Sequence, residues 1–151
     1  MNHIFVAGPM GGGKTSTSDH LCEKYGYTRI SFARPLKELE SRLRLDSFEN
    51  SVDMLRHFCD LVHRGIADTG QESVTYNDLF SKSRILLDQV SKMPVIQAEK
   101  QVPRLQALGH GMRESVHPEF WIHLFRVHMG MYPASLLVCD DVRYPNEGKF
   151  L

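Results

Sequence analysis

Hydrophobic residues along this chain follow two patterns: short continuous runs, and stripes repeating every three or four residues. Runs at His3–Ala7, Thr28–Phe32 and Ser135–Cys139 predict short buried strands. The stripes predict helices. One starts near Lys14 and stops at Gly26, with Leu21, Cys22 and Tyr25 on its inner face. Pro35 opens a second, where its missing N–H is harmless, and Leu36, Leu39 and Leu43 form the stripe. Val52, Leu55, Cys59, Val62 and Ile66 keep strict amphipathic spacing. Residues 77–92 read as a helix with weaker periodicity. Leu105, Leu108 and Met112 mark another helix. Pro118 starts the last, with His117 as its cap and Trp121, Leu124, Phe125 and His128 inward. Residues 67–76 and 93–102 read as connections. This order predicts a small α/β fold with a parallel sheet.

Between the first run and the first helix lies Gly8-Pro-Met-Gly-Gly-Gly-Lys-Thr15, which matches G-x-x-x-x-G-K-[ST]. Gly8, Gly11, Gly12 and Gly13 let the backbone curl with its N–H groups inward, making a concave anion site. The helix that follows adds its positive end. Lys14 is expected to reach the β- and γ-phosphates of a nucleotide such as ATP. The Thr15 hydroxyl is expected to ligate Mg²⁺, and Ser16 completes the phosphate-binding turn. Phosphate-loop enzymes also place a carboxylate at the end of a neighbouring strand to hold the metal. Asp140 and Asp141 follow the run that ends at Cys139 and are the candidates.

Composition narrows the partners. The 151 residues suit one domain. Lys+Arg and Asp+Glu both number 18, so no bulk field favours a nucleic acid polymer or an anionic membrane. Cys22, Cys59 and Cys139 are scattered, which predicts separate thiols in a reducing, cytoplasmic compartment. No apolar run approaches a signal sequence or a membrane span. His57, Cys59 and His63 lie close together, but Cys59 belongs to the apolar stripe and no fourth zinc ligand accompanies them.

Four blocks together carry a resemblance: GPMGGGKT (8–15), SFARPLKE (31–38), PRLQALGHGMRE (103–114) with HPEFW (117–121), and DDVRYPNE (140–147). In order and rough spacing the chain resembles bacteriophage deoxynucleoside monophosphate kinases, within the P-loop nucleoside monophosphate kinases. The resemblance implies a single kinase domain over 1–151 with a three-layer P-loop α/β fold, a short parallel sheet and a helical substrate-binding insertion at 46–102. It implies transfer of the ATP γ-phosphoryl group to a deoxynucleoside 5′-monophosphate, with Mg²⁺, in the host cytoplasm if phage-encoded. By position, Phe32, Arg34 and Lys37 line the acceptor site. Arg104 contacts a phosphate or base, Gly109 and His110 lie where the chain approaches the nucleotide, and Arg113 is a second cation there. Trp121 walls the base. Lys14, Asp141 and Arg143 are the catalytic set, with Arg143 stabilising charge on the moving phosphoryl group.

In the family a lid, a further strand and a helix follow the last block, where only 148–151 follow here, so a truncated product, a fragment or a compact variant is expected. An exposed sheet edge is therefore expected, and with it a homodimer or a poorly stable monomer. Two other readings stay open: a phosphate-loop kinase of another small molecule, such as dephospho-coenzyme A, and an ATP-binding module that transfers nothing.

Overall fold

Three short strands and seven helical segments make up the ten described elements. The computed structural model describes residues 4–7, 14–31, 33–70, 73–130 and 137–142. They divide into two compact units, Met1–Arg34 with His128–Leu151, and Pro35–Val127.

In the first unit, β1 (Ile4–Ala7), β2 (Thr28–Ile30) and β3 (Leu137–Val142) pair in parallel in the order β1-β3-β2. Helix α1 (Lys14–Tyr25) connects β1 to β2. It ends where the sequence predicts: Gly26 takes a left-handed φ of 70°, and the Tyr27 N–H reaches back to the Leu21 carbonyl at 3.3 Å. Leu21 and Cys22 are half-buried, but Tyr25 is 57% exposed, its ring edge-on to His20. Tyr25 therefore does not share an inner face with them.

The second unit is helical. It contains α2 (Arg34–Leu45, from Pro35 on), α3 (Phe48–Asp68), α4 (Tyr76–Ser91), α5 (Val102–Gly111), a single π turn (Met112–Val116) and most of α6 (Phe120–Met129). Ser47 caps α3 by accepting from the Asn50 N–H, and Thr75 caps α4 by accepting from the Asp78 N–H. The predicted α3 stripe is buried throughout, from Val52 to Ile66. Cys59 lies in it, its sulfur 3.3 Å from the Ser83 hydroxyl of α4, and burial pushes the thiol up to about 11.

The C-terminal end of α5 fits between two neighbours because it has glycines on both sides. A Cβ at Gly109 would lie 3.2 Å from a Leu36 methyl, and one at Gly111 would lie 2.6 Å from a Leu86 methyl. Past Gly111 the helix widens into the π turn and buries Met112. Pro118 lies in a turn and α6 begins at Phe120; His117 serves that turn by accepting the Glu119 N–H at its Nδ1. Six consecutive α6 residues, Phe120–Phe125, are buried, whereas His128 is exposed rather than inward.

The expected three-layer P-loop α/β fold is corrected by this arrangement: the three short strands pair in parallel, but most described residues are helical. The described strands are only four, three and six residues long. The physical reason lies in the distribution of apolar residues. Most sit in helical stripes that pack on one another, and the helical unit runs well beyond 46–102.

Helix α6 crosses α3 closely at Gly65, where a Cβ would meet His123 Cβ at 3.0 Å. Arg126 donates to the Gly65 carbonyl, and His123 is 4% exposed beside Glu119, Arg126 and His117. Burial, then the Arg126 charge and His117, push His123 down to about 4, against the opposing pull of Glu119. Burial also lowers His117. The unfolded chain therefore binds more protons than the folded one between about pH 6.5 and 4, and stability falls as pH drops through that window. His123→Gln should flatten this dependence in urea melts taken from pH 7 to pH 4; an unchanged slope would remove His123 as its source.

Candidate functional site

The predicted site residues fall into one group per unit. In the first, β1 ends at Ala7, directly before Gly8, and α1 begins at Lys14. Lys14, Thr15 and Ser16 form the first turn of α1, where backbone N–H groups have no helical partners. Gly8, Gly11, Gly12, Gly13, Phe32 and Arg143 lie outside the described residues.

Strand β3 runs beside β1 and carries the acidic pair. Phe5 pairs with Cys139 and Ala7 with Val142, so two steps along β1 match three along β3. The extra residue falls at Asp140–Asp141, as in a β-bulge. The sequence places these aspartates after the strand; the structure places them within it, next to the end of β1 from which the glycine segment leaves. A hydroxyl and carboxylates are hard oxygen donors, and that donor chemistry suits Mg²⁺.

In the second unit, Gly109 gathers several predicted residues. Leu36 of α2 packs against it from one side, and Trp121 of α6 donates from its indole Nε1 to the Gly109 carbonyl at 3.2 Å. Lys37 follows Leu36 and is exposed; His110 follows Gly109 and is exposed. Arg113, in the π turn, is half-buried; Arg34, the last residue of the first unit's N-terminal segment, is exposed. Trp121 is 4% exposed and edge-on to Phe120, which gives it a core role.

Arg104 stands apart from the other predicted cations. It is 2% exposed, and its Nε donates to Glu40 Oε2 at 3.1 Å. Its Nη1 donates to the carbonyls of Val90 at 3.0 Å and Met93 at 2.7 Å, at the end of α4. Glu40 also receives Arg44 Nε, at 3.3 and 3.2 Å from its two oxygens. Sequence reasoning missed Glu40. The available signal was its spacing, four residues past Leu36 and three before Leu43, which puts a carboxylate on a buried stripe. Gln101 was missed as well. It is buried and braces the 96–101 segment through Ile96 and Ala98.

Compared with protein-family models, curated proteins and solved structures, the chain matches none. Among the described residues no helix is long and apolar enough to cross a membrane, and no three His, Cys, Asp or Glu side chains are grouped to hold a metal ion.

Proposed function

We propose that this chain is a phosphotransferase that moves the γ-phosphoryl group of ATP to a deoxynucleoside 5′-monophosphate. The observation that carries the reading is at the end of β1. A glycine segment with the phosphate-loop pattern leaves that strand, a helix starts at its Lys14, and the parallel neighbour bulges at Asp140–Asp141 beside it. A glycine-rich turn of other purpose has no need of an acidic bulge at its root.

In this reading an oxygen of the acceptor phosphate attacks the γ-phosphorus. The bond to the β-bridging oxygen breaks, and ADP and the deoxynucleoside diphosphate result. The acceptor is already an anion at neutral pH, so no side chain has to take a proton. The barrier is charge repulsion and alignment, which positioned cations lower. Lys14 holds the β- and γ-phosphates, and Arg143 meets the moving group. Thr15 with Asp140 or Asp141 would hold Mg²⁺, whose part is to neutralise charge on the phosphate oxygens. Lys37, Arg34, His110 and Arg113 are the acceptor-binding candidates, with Phe32 and the Gly109–Trp121 contact shaping that end. The four resembling blocks support the choice of a deoxynucleoside monophosphate as acceptor.

The test is ADP release by the purified chain with Mg·ATP across a panel of dNMPs, with dephospho-coenzyme A alongside. The expected result is ADP formation that depends on one or more dNMPs. Turnover with dephospho-coenzyme A alone would move the acceptor to another class. ATP binding without turnover on any acceptor would leave a nucleotide-binding module.

A further inference from the structure

We propose that the buried Glu40–Arg104 ion pair positions the acceptor-binding residues and so sets the affinity for the monophosphate. The inference rests on the phosphotransferase reading, and it changes the part given to Arg104 from contact with the ligand to placement of the groups that make that contact.

Helices α2 and α5 meet at two points. Leu36 lies against Gly109, and Glu40 binds Arg104 at 3.1 Å. The numbers run in opposite directions, 36 to 40 on α2 and 109 to 104 on α5, so the helices are antiparallel along this seam. Lys37 lies between the two contact points on α2, and His110 follows the contact residue on α5. Both are exposed. Sliding or tilting α2 on α5 would therefore change how Lys37 is placed relative to His110.

The apolar contacts, Leu36 on Gly109 and Leu39 and Leu43 in the shared core, oppose such a shift but are non-directional. The ion pair specifies several directions. Arg104 is held through Nε by Glu40 and through Nη1 by two carbonyls at the end of α4, so one planar guanidinium ties α2, α4 and α5 together. Both side chains are 3% exposed, so bulk solvent competes little for them. Buried pairs of this kind add little net stability over well-packed apolar residues, and what they can contribute is a unique geometry. Arg44 adds a second cation on Glu40 from the more exposed side.

Two variants test the proposal. Glu40→Gln keeps the side-chain volume and a hydrogen-bond acceptor but loses the charge. The pair Glu40→Leu with Arg104→Met fills the same space without polar groups. Each is assayed well below its melting temperature, with KM measured separately for the dNMP and for ATP. KM for the dNMP should rise about tenfold, while KM for ATP and kcat stay within about twofold. Arg44→Ala should leave both KM values near wild type. An unchanged acceptor KM in the folded variants would overturn the positioning role, as would an equal rise in both KM values. Failure of both variants to fold would also overturn it, by making the pair a determinant of folding. A wild type that phosphorylates no dNMP would instead overturn the phosphotransferase reading itself, and this role with it.

Discussion

Lys14→Ala should lower turnover by about a hundredfold to a thousandfold, with the thermal melt unchanged. The size follows from the chemistry of the proposed step. Charge redistributes over the β- and γ-phosphates as the phosphoryl group moves, and a fixed ammonium there acts where little water competes. Removing one preorganised group of this kind typically costs about 10²–10³ in kcat. Lys14 is the first residue of α1, so its side chain is not needed to propagate the helix, and alanine is at least as good a helix former. The measurement is ADP release with the best dNMP, next to a melt followed by circular dichroism. Wild-type turnover in this variant would refute the loop assignment. A loss of turnover accompanied by a large drop in the melting midpoint would point to folding instead.

Arg104→Met should lower stability by about 3–5 kcal/mol, a far larger effect than any exposed ion pair in the chain could give. The substitution leaves Glu40 buried with only Arg44, and it strips the Val90 and Met93 carbonyls of their donor. By contrast, Asp53–Arg56 and Asp60–Arg64 are exposed i,i+3 and i,i+4 pairs. Breaking either should cost at most about 0.5 kcal/mol. Adding Glu40→Leu to Arg104→Met should recover part of the loss, because no uncompensated charge then remains. Urea titrations of the single and double variants give the coupling directly. A loss under about 1 kcal/mol for Arg104→Met would mean that water reaches the carboxylate.

How far the sequence could be read depended on the range of the interaction involved. The α3 stripe was legible because a helix buries residues at a local period, and Val52 to Ile66 keep it without a break. Gly26 was legible because ending a helix in the left-handed region is a one-residue requirement. Helix α6 was only partly legible: with Phe120 to Phe125 all buried, it has no polar face there to reveal its phase. The Glu40–Arg104 pair was not legible, because its members lie 64 residues apart and nothing in a single sequence marks such a pair. The acidic residues were found but placed just past their strand, since a bulge adds a residue without changing the apolar pattern before it. The fold class failed for a related reason. Short apolar runs locate strands, but they do not tell how many layers will cover them.

The indole of Trp121 gives the chain a built-in optical probe. It is the sole tryptophan among the 151 residues, it is shielded from water, and it belongs to the helical unit. Its emission therefore reports the environment around Gly109 with no competing signal from another indole, and a red shift marks the opening of that unit. Ellipticity, by contrast, sums the helices of both units. Superimposable denaturation curves by the two methods would show the chain unfolding in one step, and curves offset along the denaturant axis would show the units melting separately.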